Sequence, residues 1–176
     1  MRKTLHKAIV AKLKQLAKNQ DGYYMIINHQ EQMPAIKHFD VWNNQLTNIE
    51  VEQAFALPAV FIEFMPIRWK HLLNGVREAD VMFNLHILQK EKAPSRHGQQ
   101  YEDMGLEHYD LPEEINKALH GLTGSGFDAI TSNTSVSDHN YSEIVHSIES
   151  FNCHVTDSYA KKPITITTAE IDITFA

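Results

Sequence analysis

The side chains best able to do acid–base or metal chemistry in this chain are eleven histidines, 22 carboxylates and a single cysteine. A zinc site needs three or four imidazole, thiolate or carboxylate donors that converge on one point. The spacings do not supply them, because HExxH, HxH and CxxC are all absent. The nearest pattern is His139, His146 and the pair Cys153-His154. On one strand His146 and His154 share a face but stand about 27 Å apart at ~3.3 Å per residue. One site cannot use both, and no metal site is expected. Cys153 and His154 are neighbours, so in a strand they point to opposite faces and cannot form a thiolate–imidazole pair. Cys153 reads as a buried structural cysteine.

The glycines at 121, 124 and 126 do not make a phosphate loop, since no Lys-Ser or Lys-Thr follows them and the GxGxxG order is missing. "TGSGF" is not a nucleophile elbow either. One acid–base candidate remains. Glu63 interrupts the apolar run "ALPAVFIEF" (56–64), and His86 interrupts "DVMFNLHIL" (80–88). Across a hairpin the two would meet, which on a half-wet sheet face is ordinarily a cross-strand polar contact. No catalytic residue is assigned.

These residues depend on the elements that carry them. In 56–64, Val60, Ile62 and Phe64 share one face, and Phe61, Glu63 and Met65 the other. In 80–88, Val81, Phe83, Leu85 and Ile87 share a face opposite Asn84 and His86. Asn74-Gly75 lies between the runs and signals a two-residue hairpin. That turn sets Phe64 opposite Leu85, Ile62 opposite Ile87 and Glu63 opposite His86. Pro66 removes a ladder donor and should bulge the first strand. The tip, 67–79, would project beyond the core carrying Arg68, Trp69, Lys70 and His71, which are candidate protein-interface residues.

Residues 4–18 read as an amphipathic helix with Leu5, Ile9, Leu13 and Leu16 on one stripe, Thr4 as N-cap, and Asn19, Asp21 and Gly22 at its end. "YYMII" (23–27) reads as a short strand. Residues 28–55 lack a period and read mostly as a long loop, of the kind that is usually functional or disordered. Inside it "FDVWNNQL" (39–46) resembles a small hairpin over Asn43-Asn44, with Trp42 as a further interface candidate. Residues 89–100 form a polar loop. "DLPEEINKALHG" (110–121) is a helix with an Asp110/Glu113 capping box, the stripe Ile115, Leu119 and Leu122, and Gly121 at its end; residues 101–109 could extend it. Residues 127–136, 142–155 and 163–176 read as strands, the last with a register switch near Thr167-Thr168 that suggests a bulge. The sum is a single α+β domain over 1–176: a two-layer sandwich whose mostly antiparallel sheet of four to five strands packs against two main helices.

Composition narrows the function classes. One cysteine rules out an internal disulfide framework and suits a reducing compartment. No signal peptide or membrane-length apolar run is visible. Residues 1–18 hold Arg2, Lys3, Lys7, Lys12, Lys14 and Lys18 with no acid, a charge of +6. The chain's net −6, less this segment's +6, leaves −12 on residues 19–176. A basic helix ahead of an acidic body suits either a solvated face or docking on an acidic neighbour, and Lys7, Lys12 and Lys14 are its interface candidates. The acidic body argues against tight wrapping of nucleic acid.

The order of elements resembles the phage tail terminator (tail completion) family of long-tailed phages. The shared outline is a leading helix ("TLHKAIVAKLKQL"), a proline-led strand ("LPAVFIEF"), a second strand with a late histidine ("VMFNLHIL"), a helix ending in Ala-Leu-x-Gly ("INKALHGL") and two closing strands ("VHSIESFNCHV" and "ITTAEIDITF"). It covers most of the chain, and residues 28–55 and 131–143 fit it least. The resemblance implies a homo-oligomeric ring, usually a hexamer, assembled in the host cytoplasm and carried in the virion. The ring caps the tail tube, stops its polymerisation and meets the head connector; DNA passes through without specific binding. Such proteins use no cofactor and catalyse nothing. The competing expectation is a small cytosolic α+β enzyme or ligand-binding domain with a pocket near Glu63, His86 and His146. A third is a nucleic-acid accessory protein that uses the basic helix.

Overall fold

A computed structural model of the chain describes residues 1–19, 23–27, 34–48, 55–90, 106–138, 144–158 and 160–161. Among these residues the chain forms two α-helices and eight strands, an α+β fold. The leading helix α1 (Arg2–Leu13) buries Leu5, Ile9 and Leu13, the stripe its spacing predicts. It ends earlier than expected. Gln15 N donates to the Lys12 carbonyl, and residues Leu16–Lys18 then form strand β1, antiparallel to β2 (Tyr24–Ile26). Ala35 N also donates to the Leu16 carbonyl. Hydrogen bonds from both sides thus override the helical preference of this segment, while Leu16 stays in the core. Thr4 does not cap α1: the cap position is Met1, and no side chain bonds to the helix start. Asn19 closes the β1–β2 turn instead, its side-chain oxygen accepting from Tyr23 N at 2.8 Å.

The main sheet has six strands. β3 (His38–Val41) runs parallel to β4 (Ala59–Phe64); β4, β6 (Arg77–Lys90), β8 (Ile144–Asp157) and β7 (Thr131–Asp138) follow in antiparallel order, and the short β5 (Lys70–His71) pairs with the start of β6. The hairpin expected at Asn43-Asn44 is not formed. β3 buries no turn; it lies along β4 with Phe39 beside Val60 and Val41 beside Ile62. Asn44 does adopt a positive φ of 54°, and it steers the chain into a 3-10 turn, Gln45–Asn48, rather than back on itself.

The β4–β6 hairpin exists, but its register is displaced by two residues. Phe64 faces Phe83, Ile62 faces Leu85, and Glu63 faces Asn84. One residue of slip comes from the tip: Leu72 N donates to the Val76 carbonyl, so the loop is three residues, Leu73-Asn74-Gly75. Asn74 and Gly75 both take positive φ, 59° and 71°, as the Asn-Gly signal requires. The other residue is lost around Pro66, between β4 and β5, where the ladder breaks as anticipated. A shift of two keeps every side chain on its intended face.

The second helix, α2 (Asp110–Leu119), buries Leu111, Pro112, Ile115, Ala118 and Leu119. Its capping box is absent, because a 3-10 turn, Glu107–Tyr109, runs straight into it and Asp110 is already helical. Gly121 ends it with φ 75°. Both helices pack on one face of the sheet, where Val60, Ile62, Val81, Phe83, Leu85, Ile87, Phe151, Cys153 and Val155 meet Leu5, Ile9, Leu13 and the buried face of α2 in a single core. Cys153 is buried in it, and its thiol is pushed up to about 11 by burial, with Asp128 and Asp80 adding to the effect. The expected strand over 163–176 and its bulge lie outside the described residues, as do His139 and the segments 28–33, 49–54 and 91–105 of the expected loops.

Candidate functional site

Alternation along β4, β6, β8 and β7 sends a second set of side chains to the face of the sheet that the helices do not cover. From β4 come Phe61 and Glu63, from β6 Asn84, His86 and Leu88, from β8 Ile144, His146 and Ser150, and from β7 Asp138. At one end a small apolar cluster forms from Leu46, Ala59, Phe61, Leu88 and Ile144, roofed by Trp42, Phe55 and Leu57. Beside it runs a line of four ionisable groups.

Oε2 of Glu63 lies 3.1 Å from Nε2 of His86. Nδ1 of His86 lies 3.0 Å from Nε2 of His146. Nδ1 of His146 lies 3.3 Å from Oδ2 of Asp138. Carboxylate, imidazole, imidazole and carboxylate thus form one unbroken row across four strands. The Glu63 end is extended by Asn84, whose amide donates to the same Oε2 at 3.1 Å and accepts from the Ser150 hydroxyl at 2.7 Å. Trp42 lies flat on His86, with ring centroids 3.8 Å apart and planes 1° apart, and it also overlaps His146 at 5.7 Å.

Burial and charge pull against each other in this row. The side chains of His86 and His146 are 7% and 4% exposed, against 37% for Glu63 and 26% for Asp138. Burial holds His86 below the usual imidazole range, the Glu63 hydrogen bond opposes that, and the neighbouring His146 adds to the lowering. His146 is likewise lowered by burial, against the pull of Asp138. For Glu63, burial acts to raise the carboxyl, but hydrogen bonds from His86 and Asn84 outweigh it and leave it below the usual carboxylate range.

The two expected partners, Glu63 and His86, do meet, though diagonally rather than face to face. His146 joins them. Asp138 and the stacking role of Trp42 were not evident from sequence; alternation puts Asp138 opposite His146 only once β7 and β8 are paired in register. The interface candidates fall in three separate places. Lys7 is exposed and Lys12 half-buried on α1, and Lys14 is exposed just past its end, on the helical side of the sheet. Arg68, Lys70 and His71 are exposed at the β5–β6 tip, and Lys70 is paired with Glu78 at 2.8 Å. Trp69 is half-buried against the core, with the Arg77 guanidinium 4.1 Å above its ring, so it is less available than a projecting tip implies. Trp42 belongs to the row, nine residues of β6 away from the tip, or roughly 30 Å.

Among the described residues no three His, Cys, Asp or Glu side chains converge on a point that would hold a metal ion. Nor is any described helix long and apolar enough to cross a membrane. No family model matches this chain, and no curated protein matches it.

Proposed function

We propose that the chain is the subunit of a ring that caps a phage tail tube, of the tail terminator kind. The observation that carries the proposal is the one-sided build of the molecule. Among the described residues both helices lie on a single face of the sheet, while the other face, beyond its buried row and small apolar cluster, carries the exposed Met82 and Val136. A ring subunit needs such a face for its neighbour. The order of helix, proline-led strand, histidine-bearing strand, helix and first closing strand is part of the outline on which the resemblance rests; its second closing strand lies outside the described residues. The basic face of α1 and the acidic remainder would let neighbouring copies dock head to tail, and an acidic lumen would let DNA slide without sticking. The partners on this reading are further copies of the chain, the tail-tube protein and the head connector, with the ring carried in the virion.

The test is assembly. Purified chain mixed with its tail-tube protein should give rings, and tubes of limited length, in electron micrographs. Tubes that grow unchecked past added chain would count against the proposal.

A second reading is favoured by one specific observation, the row Glu63–His86–His146–Asp138. Its half-exposed Glu63, backed by two imidazoles, is the arrangement an acid–base or ligand-binding site would use. On that reading Glu63→Gln abolishes a measurable turnover or ligand affinity; on the ring reading it leaves assembly unchanged.

A further inference from the structure

We propose that Glu63, His86, His146 and Asp138 form one proton-binding unit that takes up a single shared proton, and that Trp42 is the lid this proton clamps in place.

The proposal follows from counting protons. Three contacts join the four groups, at 3.1, 3.0 and 3.3 Å. Each contact needs one proton between its two heavy atoms. Two neutral imidazoles carry one ring proton each, and an ionised carboxylate carries none. Neutral rings between two carboxylates therefore supply two protons for three contacts. With the central contact filled, one carboxylate must face a bare ring nitrogen, at the Glu63 end or at the Asp138 end. One further proton completes all three contacts at once. That proton belongs to the row, because placing it on either ring, or on Glu63 with the other protons shifted along, gives the same complete set.

The surroundings favour one added proton and disfavour two. A single imidazolium would sit between two carboxylates, whereas two adjacent imidazoliums with centroids 5.2 Å apart would repel. Among the described residues the other charged or titratable groups on this face are Asp40 and His38 of β3, which lie 4.0 Å from each other, Lys90 at the end of β6, and, at the far end of β6 and β8, Glu78, Asp80 and His154, which pair with one another. Asp40 adds negative charge to the face; His38 is engaged with Phe55 and Phe61. Because burial holds both row imidazoles below their ordinary range, the proton enters on the acid side of the usual imidazole value.

The lid follows from the stack. Trp42 lies parallel on His86 at 3.8 Å, and a cation beneath an indole is held more strongly than a neutral ring. Trp42 leads directly into the 3-10 turn whose Leu46 closes the small apolar cluster. The backbone here is also held by the bond from Trp42 N to the Ile62 carbonyl at 3.0 Å, so what uptake of the proton clamps, and its loss loosens, is the indole over the outer face. All four groups belong to one chain, so the isolated chain suffices for the test.

The experiment uses the whole chain labelled with 15N in its histidines, with ring spectra recorded from pH 4.5 to 8.5 and indole emission recorded in parallel. The rings of His86 and His146 should move together in one single-proton step, and the part of the emission that W42F removes should move at the same midpoint. In E63Q and in D138N, which keep the shape and remove one charge, the midpoint should fall by about one pH unit. Two separate midpoints for the two rings, an emission step at that midpoint left undiminished by W42F, or an unchanged midpoint in both E63Q and D138N would overturn the proposal. If either variant fails to fold, the ring spectra of the unaltered chain still decide between one shared step and two.

Discussion

Glu63 is the member of the row most open to solvent, at 37% against 26% for Asp138, and that position sets what its replacement should cost. Glu63→Gln keeps the shape and still accepts a hydrogen bond, and the lost charge is partly screened. The expected change in unfolding free energy is within about 1 kcal/mol, measurable as a small shift in the urea midpoint with the fold retained. The pH dependence of stability has a definite sign. His86 and His146 have folded values below their unfolded ones. Between the two values the unfolded chain binds more protons, so stability is fully present above about pH 6.5 and is lost as pH falls from there. Glu63, also lowered, adds a further loss as pH falls below the unfolded carboxylate value of about 4.3. His154 has the opposite sign: its hydrogen bond to Asp80 raises it, so its contribution is present at low pH and is lost as pH rises through its folded value. Because His154 is at the surface, the buried pair should dominate. Urea midpoints should decline from pH 7.5 to pH 5, and the decline should shrink in H146Q; a flat profile over that range would contradict the burial of the pair.

At the scale of elements, the hairpin tip makes the sharpest prediction. A β-carbon at Gly75 would lie 2.2 Å from the Ala160 carbonyl oxygen, and its φ is +71°. Gly121 has a similar φ of +75° but nothing within 4 Å of the same position. Gly121→Ala should therefore cost only the left-handed backbone penalty, about 1–2 kcal/mol, and Gly75→Ala distinctly more, read as the difference between their melting temperatures. Phe151→Ala, at the centre of the core beneath Phe83, should cost about 3–5 kcal/mol. Much of this level was legible in sequence. Strict alternation in Val81, Phe83, Leu85 and Ile87 identifies β6 and its buried face, and the Leu5–Ile9–Leu13 stripe identifies α1. What was not legible depends on distant partners. Leu16–Lys18 continues a helical pattern, yet it becomes a strand because Tyr24–Ile26 and Ala35 supply backbone bonds. Asn43-Asn44 has turn chemistry, but β3 is held parallel to β4 by a ladder that no local pattern encodes. The two-residue register error arose at Pro66 and the three-residue tip, both local irregularities. It still left Glu63 in reach of His86, since a slip of two preserves the face. His146 and Asp138 could join the site only through β8–β7 pairing, a long-range contact, and Trp42 only through the course of the chain after β3.

For the whole molecule, the central claim is that a one-sided α+β subunit completes itself by joining copies of its own kind. On the ring proposal the exposed part of the outer face, the basic helix and the acidic remainder would all serve contacts between copies. Neutralising Lys7, Lys12 and Lys14 together should weaken contacts between copies, and weaken them less as salt is raised, because exposed charges are already screened there. If the same triple change instead removed binding to DNA, the nucleic-acid reading would gain. The most direct measurement is the mass of the native chain in solution over a range of concentrations, by mass photometry or native mass spectrometry. The ring proposal expects a discrete closed species, six chains of 20.2 kDa or about 121 kDa, with a central pore in micrographs of the same sample. A monomer at every concentration, with and without the tail-tube protein, would contradict it.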